Sequence, residues 1–233
     1  MLVIPPISYR SGTLRMIYRR VSTALMTSKQ QVFEWLQMLA QVYAENKTHL
    51  TQLDSAIGDA DHGINMARGF AAVIEKLSGQ DQPLGAALKT TGMTLVQSVG
   101  GAAGPLYGTF FLRAAGSCRD KTALEPQDIV GMFEAGVDGV RQRGKAEPGD
   151  KTMIDALDPA VDAMKKALAA GEDLKSILEK GRAAAEQGVQ DSIPLVARKG
   201  RASYLGERSA GHQDPGATSS HLMLKAALET FAS

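Results

Sequence analysis

Cysteine is almost absent: Cys118 stands alone among 233 residues. An intrachain disulfide is therefore impossible, and a reducing, cytoplasmic setting is the natural expectation. Aromatic residues make up only 5% of the chain, and Trp35 is the single tryptophan. No apolar run reaches the roughly 20 residues that a membrane span requires. No charge of one sign dominates, because the formal net charge is +1. That balance excludes a protein that grips nucleic acid through a broad basic surface. Neither H-E-x-x-H nor paired cysteines occur, which argues against zinc. No Ser-His-Asp or Cys-His arrangement can be argued around His49, His62, His212 or His221.

What is present is helical. Ala, Leu, Met, Lys, Glu and Gln are plentiful and strand formers are few. The chain is long enough to bury a substantial core. Ser28 reads as the N-cap of a first helix. Val32, Phe33, Leu36, Leu39, Val42 and Tyr43 then recur at steps of three and four, and Trp35 and Met38 widen the stripe. Seven more helices follow, one opening at Gly63 with Ile64, Ala67, Phe70, Val73 and Ile74 inward and the others at 84–99, 105–118, 126–143, 151–169, 174–192 and 217–231, with Pro159 kinking the sixth of the eight. The expectation is an all-α fold of eight helices in one domain over 26–233, sequential neighbours running antiparallel across short connections. Residues 1–25 differ: they carry Arg10, Arg15, Arg19 and Arg20 and no acid. They read as a poorly ordered extension ahead of a start at Met26, with an Arg-rich transit segment as the other reading.

Four segments between helices stand out. In Asp54-Ser55-Ala56-Ile57-Gly58-Asp59-Ala60-Asp61-His62-Gly63, three carboxylates fall within eight residues. Hard divalent cations prefer carboxylate oxygens, and Mg2+ usually shares its shell with water and phosphate. A solvated loop with a helix N-cap would show a similar pattern. The second segment, Ser98 to Pro105, holds three glycines at a helix boundary, where backbone amides can approach an anion. The third, Arg143 to Met153, contains a decoy. Gly139 to Lys145 fits the start of a P-loop, but Ala146 stands where the Mg2+-binding hydroxyl belongs, so a P-loop is rejected. Lys145 and Lys151 remain within reach of a phosphate. The fourth is the long connection 193–216, carrying Arg198, Lys199, Arg201 and Arg208 and ending in Asp214-Pro215-Gly216. Loops beyond about 15 residues without regular structure are uncommon and usually functional. Acids that want metal, metal that wants phosphate, and amides and arginines that want phosphate make a complementary set.

These segments, together with Gly92-Met93-Thr94-Leu95, resemble the nucleotide-binding L subunits of dihydroxyacetone kinases, from about residue 28 to the end. The resemblance implies a closed barrel of eight antiparallel helices with the nucleotide at one end. It implies that Asp54, Asp59 and Asp61 ligate two Mg2+ ions bridged to the phosphates of ADP or ATP. His62, Gly63, Ile64 and Asn65 fall in the family's nucleotide-contacting stretch, and Ala102 and Ala103 in its glycine-rich contact. Gly144, Thr152, Met153, Arg201, Asp214, Pro215 and Gly216 match further nucleotide-contacting positions. The family often has Ser where Ala103 stands, so a hydroxyl contact is missing here.

Two forms of this enzyme exist. One fuses the L domain to a substrate-binding K domain and uses ATP. The other has separate K, L and M subunits and draws phosphate from the phosphoenolpyruvate phosphotransferase system. A chain with room only for L implies the second form: retained ADP is phosphorylated by a phosphohistidine on M, and the phosphoryl passes to dihydroxyacetone on K. The alternatives are an ATP-fed subunit for a related ketose, an ADP-state sensor that binds a transcription regulator, and a bare cation-binding helical scaffold. A homodimer is left open. Neither direct nucleic-acid contact nor a membrane is expected.

Overall fold

The structure, a computed structural model, describes residues 26–233. The expected extension at 1–25 lies outside the described residues. Thr27–Ser28 (β1) pairs antiparallel with Ala123–Leu124 (β2), Thr27 opposite Leu124. The helices are α1 (Lys29–Glu45), α2 (Lys47–Ile57), α3 (His62–Leu77), α4 (Leu84–Ser98), α5 (Ala103–Ser117), α6 (Pro126–Gly144), α7 (Ile154–Ala169), α8 (Leu174–Ser192) and α9 (Pro215–Phe231), with a 3-10 helix at Arg201–Ser209. The described residues therefore hold nine α-helices and one 3-10 helix, where the sequence led us to expect eight helices.

Two differences account for the count. The first stripe continues past Glu45, but Asn46 breaks the helix. Its backbone leaves helical geometry (φ −92°, ψ 7°), and its side-chain amide donates to the Val42 carbonyl at 2.8 Å. Asn competes for local backbone groups in this way, so α2 starts afresh at Lys47. The second difference is the 193–216 connection. It is not structureless: the 3-10 helix occupies its middle, interrupted by Gly206 at φ 56° and ψ −133°.

Local signals set the ends of the elements. Ser28 and Gln31 form a reciprocal capping box on α1, at 3.2 and 3.0 Å. Asp173 caps α8 and Asp214 caps α9. Pro159 lies inside α7 and has no N–H for the Asp155 carbonyl. There Gly188 of α8 comes so close that a Cβ would lie 2.1 Å from that carbonyl.

Packing follows chain order. α3 packs on α4, α4 on α5, and so on to α9, which packs on α1, and α1 packs on α3; α2 lies against α3 and α9. The centre is aromatic. Trp35 is fully buried against Phe111, Phe133 and Phe231, with centroids 5.3–5.7 Å away. Its indole N–H donates to the Met223 carbonyl at 3.3 Å. Phe33 and Val42, placed on the buried stripe by periodicity, sit at its half-buried flank, and Trp35 lies at its middle. Among the described residues no helix is long and apolar enough to cross a membrane.

Candidate functional site

All four inter-helix segments singled out in the sequence meet at one cleft of about 350 Å³. They are the connections leading into α3, α5, α7 and α9. Four helix N-termini therefore open on the same space, and each N-terminus carries roughly half a positive charge.

The acidic segment forms the first wall. Asp54 lies in the last turn of α2 and is buried. Its Oδ2 accepts the N–H groups of Asp61 and His62, at 2.9 and 3.1 Å. Asp54 thus caps α3 from outside that helix. Asp61 holds the N-cap position but makes no side-chain cap bond, so its carboxylate is left for the cluster. Ala60, at φ 60°, turns the chain between the two acids. One carboxylate oxygen each from Asp54, Asp59 and Asp61 lie within 4.8 Å of one another. Gly58 makes room for this set: a Cβ there would lie 1.9 Å from Asp54 Oδ1. Oxygen donors packed this closely fit a hard divalent cation. Arg201 reaches over from the 3-10 helix, and its Nε donates to Asp59 Oδ2 at 2.9 Å.

The glycine turn forms the second wall. Gly101 takes φ +63°, a conformation that favours glycine. A Cβ on Gly104 would lie 2.2 Å from the Val99 carbonyl. The N-terminus of α5 has no side-chain cap. Asn65 and Arg68 of α3 brace the turn from behind. Arg68 donates to Asn65 Oδ1 at 2.7 Å and to the Ser98 carbonyl at 3.0 Å, and Asn65 lies against Gly100.

The third wall runs from Arg143 to Ile154. Asp155 ties it down, accepting from Gly149 N–H at 2.6 Å and Thr152 N–H at 2.7 Å. Lys145 ends α6 in the left-handed conformation (φ 50°) and is exposed. Lys151 is not a solvated turn residue: it is 1% exposed and donates to the carbonyls of Ser192 and Ile193. The fourth wall is Lys199–Ala202 and Asp214–Gly216. Ala197 and Ala202 pack on Ile57, which holds the long connection against α2.

Electrostatics follow from this burial. The cleft is lined by four acids, Asp54, Asp59, Asp61 and Asp214, and four bases, Arg143, Lys151, Lys199 and Arg201. Burial keeps His62 below its usual pKa, with Asp54 and Asp61 pulling the other way. Its Nε2 lies 2.9 Å from Ser219 Oγ, which also meets the Tyr107 hydroxyl at 2.7 Å. Burial lifts the Asp214 carboxyl to about 7; Asp155 pushes it further, while the Ala217 amide and Lys151 pull it down.

Of the candidate residues from sequence, Asp54, Asp59, Asp61, His62, Ala102, Ala103, Gly144, Thr152, Met153, Arg201, Asp214, Pro215 and Gly216 line the cleft. Gly63, Ile64 and Asn65 are not among the lining residues. Gly63 packs on the Lys47 carbonyl, Ile64 is 43% exposed, and Asn65 braces the glycine turn. Of the basic residues in the long connection, Lys199 joins Arg201 at the cleft, while Arg198 pairs with Asp150 at 3.9 Å. Sequence reasoning missed Gly58, Tyr107, Val140 and Arg143. Tyr107 was within reach, one helical turn after Ala103 on the same face.

The chain resembles known proteins over most of its length. The DAK2 domain profile matches residues 56–229. The chain is 49% identical over 199 residues to the PEP-dependent dihydroxyacetone kinase, ADP-binding subunit DhaL, of Escherichia coli K12, covering 85% of this chain and 95% of that one. It is 38% identical over 208 residues to the PTS-dependent counterpart of Lactococcus lactis, covering 89% and 100%. A solved dihydroxyacetone kinase of C. freundii in complex with AMP-PNP and Mg2+ superposes with a TM-score of 0.64 at 26% identity, over 84% of this chain and 33% of that one. The present chain thus spans about a third of that longer kinase.

Proposed function

The chain belongs to the DAK2-domain family, and on that premise we propose that it is the ADP-binding subunit of a phosphoenolpyruvate-dependent dihydroxyacetone kinase. It is a phosphotransferase component that holds nucleotide between a phosphohistidine donor, the M subunit, and a ketose acceptor bound to the K subunit. The observation that carries this reading is the convergence of three carboxylate oxygens, an uncapped glycine-rich helix N-terminus and Arg201 on one cleft. The eight longer helices, whose packing order closes on itself, form the barrel, and α2 is the short lead into the acidic loop. We assign the protein to the cytoplasm.

Asp54, Asp59 and Asp61 would hold Mg2+, two ions in the fullest form, and bound metal supplies the positive charge that a diphosphate and an incoming phosphoryl group need. The chain's own residues do the rest. The first amides of α5, at Ala102 and Ala103, are free to donate to phosphate oxygens. Arg201 adds a planar, permanently charged donor. Gly144, Thr152, Met153 and Asp214–Gly216 line the remaining cleft as the nucleoside side of the site. His62, held neutral by burial and fixed by Ser219, borders the phosphates without ligating metal. No nucleophile or general base is required of this chain, because phosphoryl transfer is mostly positioning and charge neutralisation.

The test is nucleotide retention. Asp59→Asn and Asp61→Asn should each lose co-purifying ADP on gel filtration and lose transfer with K, M and phosphoenolpyruvate. Wild-type retention in both variants would refute the metal assignment. Transfer with K and free ATP, but none with M and phosphoenolpyruvate, would refute the donor assignment.

A further inference from the structure

Among the cleft's cations, Lys151 is buried and has no place in the nucleotide chemistry just described. Lys151 is 1% exposed and stands at φ +61°, in the left-handed region that disfavours a side chain. A buried ammonium and a left-handed non-glycine residue are each unfavourable, and such features persist where the surroundings over-determine them. The backbone turn sends the side chain away from solvent to the C-terminal end of α8. There Nζ donates to the carbonyls of Ser192 at 2.8 Å and Ile193 at 2.9 Å. These carbonyls lie at the negative end of a helix, where a cation is favoured.

Both carbonyls are shared. Ser192 O also accepts from Leu195 N–H at 3.2 Å, and Ile193 O from Gly211 N–H at 2.8 Å. Gly211 is the return of the long connection, three residues before Asp214. On the outgoing side, Arg198 N–H donates to the carbonyl of Asp150, the residue before Lys151, at 3.0 Å. The turn at 150–151 therefore holds both ends of the segment that carries Arg201.

We infer that Lys151 is a positioning residue: its buried ammonium ties the 144–153 turn to the start of the 193–214 connection, beside the backbone bonds that hold Arg198 and Gly211, and so holds Arg201 and Asp214 at the nucleotide. This rests on the nucleotide-binding reading above. Lys151 also contributes to the charge around Asp214, which faces Asp155 from α7, Tyr107 from α5, Lys151 from the turn, and the Gly216 and Ala217 amides of α9.

Two variants of the full chain test it. Lys151→Met keeps most of the volume and removes the charge. Lys151→Gly removes the charge and relieves the left-handed backbone. Both should speed amide hydrogen exchange across 193–214 at least tenfold, while α1 and α5 exchange as in the wild type. Both should weaken Mg-ADP binding at least tenfold by calorimetry. In Lys151→Met the pH midpoint of ADP binding that reports Asp214 should move upward, a change that lost packing alone would not produce. The inference is overturned if 193–214 exchange and ADP affinity stay within twofold of wild type, if exchange rises evenly over the whole fold, if the pH midpoint stays put, or if neither variant folds. Wild-type protein that fails to bind ADP would count against the nucleotide reading, and the exchange measurement would still decide the tie.

Discussion

Asp214 offers the sharpest check on the electrostatics of the cleft. It caps α9, accepting the Ala217 N–H at 2.7 Å, and burial lifts its carboxyl from 3.8 to about 7. The direction is opposite to that of a salt-bridged carboxylate. A group whose folded pKa lies above its unfolded one stabilises the fold fully below the unfolded value, and that contribution is lost as pH rises through the folded value. The perturbation is Asp214→Asn, which keeps a cap acceptor and cannot ionise. The fixed difference between the two proteins at any one pH depends on how well Asn caps; the change of that difference with pH does not. Between about pH 5 and pH 8 it should be about 2.6 kcal/mol, at about 1.36 kcal/mol for each tenfold step in proton affinity. For a domain of this size about 1 kcal/mol moves the melting temperature by 2–4 °C. Thermal unfolding of nucleotide-free protein should therefore show the variant gaining about 5–10 °C on the wild type between pH 5 and pH 8. Melting temperatures that run parallel across that range would refute the argument. They would mean that Asp214 is ionised throughout, held by Lys151 more firmly than burial opposes it.

Two further outcomes follow from the geometry. Gly58→Ala puts a methyl 1.9 Å from Asp54 Oδ1, so the carboxylate must move away from the acid cluster; Mg2+-dependent ADP affinity should fall at least tenfold by calorimetry, and unchanged affinity would remove Asp54 from the cation site. Ser219→Ala leaves His62 Nε2 and the buried Tyr107 hydroxyl without a shared partner, and should cost about 1–3 kcal/mol in urea unfolding, a loss that Ser219→Thr should partly restore.

What was legible in the sequence is what local chemistry decides. Ser28 is readable as the N-cap of α1, and the structure adds Gln31, three residues on, as its reciprocal partner. Asp214-Pro215 announces α9 in the same way. The three acids could be grouped because Asp54, Asp59 and Asp61 are close in the chain and a short turn keeps them close in space. Events that depend on one backbone angle were not legible. Asn46 breaks α1 from α2 without interrupting the apolar stripe, so periodicity runs straight across it. From sequence Lys151 reads either as a cation within reach of a phosphate or as a solvated residue of the Pro148-Gly149 turn. Only the folded chain reveals that its φ of +61° turns it inward. Long-range partners were equally hidden: His62 meets Ser219 across 157 residues of sequence, and no spacing rule reaches that far.

The same contrast explains why the cleft sits where it does. Packing in chain order with short connections sends successive helices back and forth, so every second connection lands at the same end. The connections into α3, α5, α7 and α9 are the ones that carry the unusual residues, and all four line the cleft. Four N-termini directed at one space create a positive field that carboxylates can satisfy in part. Asp54 closes α3, Asp155 accepts from the amides leading into α7, and Asp214 closes α9. α5 has no side-chain cap, and the small residues Gly100-Gly101-Ala102-Ala103 that lead into it keep the approach open. Carboxylates on α3, on α9 and on the loop amides ahead of α7 leave the small-residue entry to α5 open to an outside anion. The glycine turn and the acid cluster line the same cleft, so an anion at the turn and a cation held by the acids would share that space. The acidic run and the glycine turn, each weak evidence alone, are thus two halves of one device, and the fold's alternation is what brings them together.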